Sequence, residues 1–194
     1  MKRALIKQLT PAFAKRMILK LRDRLNGPGI EYAVIRDLGF RADETPAPRL
    51  NLILPSVAKS EAFGGVMTGL GFYRELMLAL KAEGVEARII VEASPEPGEN
   101  VLEDDPDLKG LEVLALDRSG GEVTVRRQDL FMAFNWWTSL NIEALLRAQT
   151  DHFGGDPLPK LHLIQEYEPH FYPFSAAHLL AREAMVASWP LWAV

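Results

Sequence analysis

The chain has 194 residues, of which 48% are apolar and 25% are charged, and this balance excludes an intrinsically disordered protein. Cysteine is absent, which excludes a disulfide scaffold and thiol catalysis. The formal net charge is −4, and no apolar run approaches the roughly 18 to 20 residues of a membrane span. These features predict a soluble, cytoplasmic protein built around one large domain.

The first 26 residues are basic, with eight Lys or Arg against one Asp, a formal charge of +7. Thr10 and Pro11 predict a helix start, and apolar residues follow at helical spacing. This helix either packs on its own domain or lies on an anionic membrane at the inner face of the cell. Nucleic acid is not favoured as a partner, because the remaining chain is acidic and has no RNA-binding or zinc-finger motif.

Residues 1–48 are therefore predicted to be a basic arm and a Pro-rich lead-in, followed by a compact domain over 49–194. Strands are predicted at 49–57, 86–93, 111–117, 122–128, 129–137 and 160–167, and helices at 68–83, 138–149 and 175–187. Thr138 or Ser139 is expected to cap the second helix. Nearly continuous apolar strands that alternate with helices predict an α/β fold, a Rossmann-like three-layer sandwich with a mostly parallel sheet.

The loop after the first of these strands contains "FGGVMTGLG" (63–71). It lacks the lysine of a Walker A loop, and Arg74 stands where a dinucleotide fingerprint needs Gly or Ala. Gly64 and Gly65 precede a predicted helix. They either let an anion approach backbone N–H groups or merely permit a tight turn.

Two further loops follow predicted strands and are rich in aromatic residues. In "FNWWTS" (134–139), Trp136 and Trp137 cannot both face the same side, so one is predicted to be core and the other a flat platform. In "IQEYEPHFYPFS" (164–175), Glu166 and Glu168 share one face if the chain is extended. Carboxylates beside aromatic faces suit a sugar, whereas the alternative is an acidic, Pro-braced loop packed by its own aromatics.

The remaining candidates for chemistry are weak. The four histidines lack the spacing of a metal site, and there is no Gly-x-Ser-x-Gly motif of a serine hydrolase. His162 lies within an apolar strand and is predicted to be a satisfied core histidine. No metal and no cofactor are expected.

The ordered set "LNLILPSV", "FGG…GLGFYREL", "FNWWTS" and "LIQEYEPHFYPFSAAHLLA" resembles the N-terminal half of a two-domain glycosyltransferase, the WsaF type of rhamnosyltransferase in glycosyltransferase family 4 of the GT-B fold. The resemblance covers residues 49–194. It implies two Rossmann-like domains that face each other across a cleft. The N-terminal domain forms the acceptor side, and the C-terminal domain binds most of the nucleotide-sugar donor.

The resemblance also implies roles for the three loops. Gly64 and Gly65 would lie beside the donor phosphates or the transferred sugar. The residues expected to line the cleft are Trp136, Trp137, Thr138, Glu166, Tyr167, Glu168 and His170. Glu168 is the candidate catalytic carboxylate, which would accept hydroxyl hydrogen bonds or oppose positive charge on the transferred sugar.

The chain ends in "SWPLWAV", which is predicted to begin another strand, and the C-terminal domain that the resemblance requires would come after it. The chain is thus interpreted as a fragment of a retaining, metal-independent glycosyltransferase, inactive without that domain. Its expected substrates are a nucleotide-sugar, with rhamnose a candidate sugar, and a polysaccharide or lipid-linked acceptor. The alternative is a non-catalytic, flavodoxin-like binding or regulatory module.

Overall fold

The computed structural model describes residues 34–36, 38–116, 121–186 and, by backbone alone, 191–193. The predicted basic helix lies outside the described residues, so membrane contact through residues 1–26 stays a prediction. Within the described ranges, no helix is both long enough and apolar enough to cross a bilayer.

Strands and helices alternate along most of the described chain. The strands are β1 (Leu38–Asp43), β2 (Arg49–Ser56), β3 (Glu86–Ala93), β4 (Glu112–Ala115), β5 (Gly121–Arg126), β6 (Asp129–Ala133), β7 (Lys160–His162) and β8 (Leu191–Ala193). The helices are α1 (Gly64–Lys81), α2 (Trp136–Phe153) and α3 (Ala176–Val186), and short 3₁₀ turns cover Val101–Asp104 and Glu168–Phe171.

Six strands form one sheet in the order β4-β3-β2-β6-β7-β8, and every neighbouring pair is parallel. Ile53 in β2 stands opposite Ile90 on one side and Ala133 on the other. The predicted Rossmann-like α/β fold is therefore confirmed. The strand predicted at the end of the chain is also present, as β8 beside β7.

The side chains of the central strands alternate between two hydrophobic clusters, one on each face of the sheet. Leu52 and Leu54 pack with α1, where Tyr73 is fully buried and donates its hydroxyl proton to backbone carbonyls of β2 and β3. Ile53 faces the other way and packs with Ile142 of α2. Such strands must be apolar on both faces, which explains the continuous hydrophobic run of β2.

A second, two-stranded parallel sheet pairs β1 with β5 and packs on the α2 face. The strand predicted at 122–128 thus exists, but its partner is β1 rather than a strand of the main sheet. β1 lies in the stretch interpreted as arm and lead-in, where no strand was predicted. Phe40 of β1 packs against the hydrophobic cluster on the α2 face of the main sheet.

A buried ionic network joins the two sheets near the amino ends of the strands. Asp129, fully buried, accepts hydrogen bonds from Nε and Nη2 of Arg49 at 3.1 and 2.8 Å. Arg88, also fully buried, donates to Oδ1 of Asn51 at 2.8 Å and to the Thr124 carbonyl of β5 at 2.9 Å. Burial, with the neighbouring Arg49 cation, lowers the pKa of Arg88 to about 10, so the guanidinium remains charged at neutral pH.

Several predicted element boundaries are wrong. Helix α1 begins at Gly64 rather than at 68, and α2 runs over Trp136–Phe153 rather than 138–149. The strand at 129–137 ends at Ala133, and the strand at 160–167 ends at His162. Local cap and turn chemistry ends these strands earlier than the apolar pattern indicates. The tryptophans consequently lie in the first turn of a helix, and Glu168 begins a 3₁₀ turn.

Candidate functional site

The candidate site lies where β2 and β6 end side by side. The helices that follow these adjacent parallel strands pass to opposite faces of the sheet, α1 to one and α2 to the other. This arrangement is a topological switch point, and in open α/β sheets ligands bind in the crevice outside the strand ends at that point. Gly64 and Trp136, the first residues of α1 and α2, mark the two helix starts beside it.

The glycine pair forms the exposed first turn of α1. Neither Gly64 nor Gly65 has a positive φ, so a left-handed turn does not explain them. A Cβ on Gly64 would meet nothing within 4 Å, whereas one on Gly65 would lie 3.1 Å from Oε1 of Gln165 and 3.6 Å from Phe134. Gly64 therefore leaves open space at a helix start, and Gly65 admits the side chain of Gln165, whose Nε2 donates to the Gly65 carbonyl at 3.2 Å.

Helix α2 begins with a capping box in which Asn135 is the N-cap, so the predicted cap at Thr138 or Ser139 is wrong. Oδ1 of Asn135 accepts from the backbone N of Thr138 at 3.0 Å, and Oγ1 of Thr138 accepts from the backbone N of Asn135 at 3.0 Å. Asparagine is a preferred N-cap because its side-chain oxygen can accept from an otherwise unpaired N–H. Thr138 is fully buried and its hydroxyl takes part in the capping box, so this side chain supports the site rather than lining it.

The two tryptophans differ in exposure, as their adjacency predicts. Trp136 is buried, and its indole N–H donates to the hydroxyl of Tyr172 at 3.0 Å. Trp137 is partly exposed, and its indole N–H donates to Oε2 of Glu92 at 3.0 Å. The ring planes meet nearly at right angles, with centroids 5.6 Å apart. Trp137 is thus the ring that remains accessible as a platform.

Glu168 reaches from the loop after β7 to the start of α2. Its Oε2 accepts from the backbone N of Trp136 at 2.7 Å, one of the N–H groups that the helix itself cannot pair. Burial raises the pKa of Glu168 to about 7; the Trp136 hydrogen bond opposes this shift and the Glu166 charge adds to it. The group can therefore gain or lose a proton near neutral pH.

Much of the rest of the loop is exposed, and the loop is not extended. Glu166, Tyr167 and His170 are all exposed, and the Tyr167 and His170 rings meet edge to face with centroids 4.7 Å apart. The expectation that Glu166 and Glu168 share one face of an extended chain is wrong, because the 3₁₀ turn begins at Glu168 and carries Pro169 in its first turn. Glu166 points to solvent, while Glu168 is half-buried.

Hydrogen bonds and side-chain contacts bring the three predicted loops together at the carboxyl ends of the strands. Gln165 joins the loop after β7 to the start of α1, Phe134 lies beside Gly65, and Glu168 joins the loop to Trp136. Segments that are about 70 and 30 residues apart in sequence thus share one crevice.

This geometry agrees with a comparison against models of protein families. The model of the WsaF N-terminal domain matches residues 49–193. The chain belongs to the WsaF N-terminal domain family. No curated protein matches the chain. The match confirms the resemblance to a WsaF-type glycosyltransferase N-terminal domain, so this is a glycosyltransferase-associated domain.

Sequence reasoning missed several polar residues of this WsaF-type domain. Gln165 and Asn135 stand inside the quoted loops but were assigned no role. Glu92 is the second-last residue of β3, and only 6% of its surface is exposed. The signal in the sequence that could have indicated Glu92 is a carboxylate near the end of the apolar run "EARIIVEA".

His162 is a core residue of the domain, as predicted. The side chain is fully buried, and the Ala184 backbone interacts with its ring. Burial, and next the Lys160 ammonium, lowers the pKa of His162 to about 4. The imidazole is therefore neutral in the folded protein.

Proposed function

We propose that this domain is the acceptor-side half of a retaining glycosyltransferase of the GT-B fold and family 4. In this proposal the enzyme transfers a sugar, with rhamnose the candidate, from a nucleotide-sugar to a polysaccharide or lipid-linked acceptor. A second Rossmann-like domain supplies most donor contacts. The observation that carries the proposal is the convergence of three chain segments at the strand ends, where Gln165 contacts Gly65 and Glu168 contacts Trp136.

Glu168 is the group best placed for chemistry in this proposal. One oxygen is held by the Trp136 N–H, so the carboxylate has a fixed position at the crevice. A pKa of about 7 lets it accept a proton from an acceptor hydroxyl and release it again near neutral pH. When ionised, it stabilises the positive charge that develops on the transferred sugar. Perturbed carboxylates of this kind cluster at functional sites.

The start of α1 is the proposed approach for the donor. Gly64 carries no side chain into the open space, so a phosphate or sugar oxygen can come close to the backbone N–H groups of the first turn. The dipole of this 18-residue helix also favours negative charge there. In this proposal Gly64 is needed because it gives the donor access to the backbone N–H groups of α1, and not because it permits a turn.

The exposed part of the loop is proposed to hold sugar. The accessible rings of Trp137 and Tyr167 offer flat apolar surface to a pyranose face. Glu166 and His170 lie beside Tyr167 in the loop and can bond to hydroxyl groups. Residues 161–181 contain no Lys or Arg, so the acidic groups of the loop have no cation from their own segment.

A transfer assay on a full-length protein that carries this domain tests the proposal. Glu168→Gln keeps the shape and the Trp136 hydrogen bond but removes the charge. Loss of one charge-assisted hydrogen bond, about 1.5 to 3 kcal/mol, should slow turnover roughly 10- to 150-fold. The 194-residue chain alone should give no transfer.

Glu166→Gln is the matched control, since it makes the same change at an exposed position two residues away. It should weaken acceptor binding while leaving turnover closer to that of the unsubstituted protein. Full turnover by Glu168→Gln, or robust transfer by the isolated chain, would contradict the proposal.

A further inference from the structure

Glu92 is a buried carboxylate outside the three loops. It is the second-last residue of β3, and both of its oxygens accept hydrogen bonds from α2: Oε2 from Nε1 of Trp137 and Oε1 from Nδ2 of Asn141, each at 3.0 Å. Burial raises its pKa, while the Trp137 hydrogen bond, the Arg36 charge and the Asn141 hydrogen bond all oppose that shift. The two donors lie four residues apart, on one side of the helix.

Asn141 continues this network into the segment before β1. Its Nδ2 donates to the carbonyl of Val34 at 2.9 Å, and its Oδ1 accepts from the backbone N of Arg36 at 2.9 Å. The side-chain amide of Asn141 thus pairs with the backbone of this segment as a neighbouring strand would. Nη1 of Arg36 in turn donates to the Glu92 carbonyl at 2.9 Å. The segment 34–36, the end of β3 and the first turns of α2 are thereby fixed together.

We propose that Glu92 is a positioning residue, which sets the orientation of the Trp137 ring for sugar binding. The inference rests on the proposed function, because it takes Trp137 to be a surface on which a sugar stacks. Trp137 is partly exposed and packs against Trp136, so its ring orientation depends on the indole hydrogen bond as well as on packing. The indole N–H fixes the ring only if its acceptor is itself fixed, and Asn141 and the β3 backbone fix Glu92.

The substitution Glu92→Gln isolates this role. A glutamine has one acceptor oxygen and one N–H₂ group, whereas the site presents two N–H donors. One donor must therefore lose its acceptor: either Trp137, whose ring is then released, or Asn141, which then no longer holds the side chain that orients the ring. Glu143→Gln is the matched control, because Glu143 is also a carboxylate on the α2 side of the sheet and accepts from the buried Lys160 at 2.7 Å. It weakens α2 without touching Trp137.

The experiment is two-dimensional ¹H–¹⁵N NMR on the 194-residue chain, titrated with a rhamnose trisaccharide. Trp137→Phe assigns the Trp137 indole signal. We expect Glu92→Gln to move that signal upfield, as loss of a carboxylate acceptor requires, and to weaken trisaccharide binding about 5- to 10-fold, the effect of one hydrogen bond. In the Trp137→Phe background the same substitution should have no further effect. Glu143→Gln should leave both readouts unchanged.

The outcomes separate this inference from the proposed function. Additive losses in the double variant, or full affinity in Glu92→Gln, overturn the positioning role and leave the proposed function standing. Unchanged binding by Trp137→Phe overturns the inference as well, because the ring then does not contact the sugar. No binding by the unsubstituted chain contradicts the proposed function and the inference together.

Discussion

The backbone N–H of Trp136 and the carboxylate of Glu168 meet at 2.7 Å, and this one contact ties the first turn of α2 to the loop that follows β7. The contact fixes an acidic group at the switch point of the sheet. Burial of the group at this position raises its pKa to about 7, although the hydrogen bond itself opposes the rise. The carboxylate is thus held in place by one interaction and perturbed by another.

The pH dependence of stability tests this description of Glu168. Its folded-state pKa of about 7 lies above the ordinary 4.5, so the folded chain holds the proton more tightly than the unfolded chain. The resulting stabilisation is present below pH 4.5 and is lost as the pH rises through 7. Glu168→Gln cannot lose a proton, so its Tm relative to the unsubstituted chain should rise between pH 5 and pH 8.

Partial exposure of Glu168 reduces this effect, which we expect to be of order 1 kcal/mol. Thermal unfolding of both proteins at several pH values gives the comparison. A difference in Tm that is the same at pH 5 and at pH 8 would show that the carboxylate has an ordinary pKa.

Two alanine substitutions separate access from packing in α1. Gly64→Ala places a methyl group in open space and should change the free energy of unfolding by less than about 1 kcal/mol. Gly69→Ala places it 2.9 Å from the Phe134 ring and should cost about 1 to 3 kcal/mol. Urea unfolding measures both. In the full-length protein, Gly64→Ala should also raise KM for the nucleotide-sugar; an unchanged KM would remove Gly64 from the donor site.

The buried ionic network predicts a large loss of stability for Asp129→Asn. Removing this charge leaves Arg49 and Arg88 buried without their central anion, which costs about 3 to 5 kcal/mol. Glu122→Gln is the control, because its ion pair with Arg41 is exposed and contributes about 1 kcal/mol or less. Urea unfolding that shows similar losses for both variants would mean that the network does not hold the sheets together.

The basic residues 1–26 predict salt-sensitive binding to membranes. Each Lys or Arg near an anionic surface contributes about 1 kcal/mol, so a segment of charge +7 should bind vesicles that contain phosphatidylserine. Deleting the segment should abolish the binding in a sedimentation assay. Equal binding to neutral vesicles would rule out the electrostatic mechanism.

The main sheet could be predicted from the sequence because its strands are apolar on both faces and separated by helices. The β1–β5 sheet could not, since β1 lies beside a polar, Pro-rich region without a continuous apolar run and its partner lies about 80 residues away. Such a pairing is visible only once the Arg49, Arg88 and Asp129 network brings β5 to the main sheet.

The site was predictable in its location but not in the roles of its parts. Parallel strand ends bring the loops together, so residue numbers alone indicate the crevice. Which tryptophan is accessible depends on the N-cap at Asn135, and the burial of Glu168 depends on where the 3₁₀ turn begins. Glu92 acts through contacts with α2, about 45 residues away, and strand patterns carry no information about such contacts.

The most direct test of the central claim, that the crevice beside Glu168 binds sugar, is calorimetric titration of the 194-residue chain with a rhamnose trisaccharide. We predict measurable binding that Glu168→Gln weakens by at least about fivefold, the effect of a lost hydrogen bond to a charged group. Glu83→Gln, an exposed carboxylate just past the other end of α1, should bind as the unsubstituted chain does. Absence of binding, or equal affinity in all three proteins, would contradict the claim.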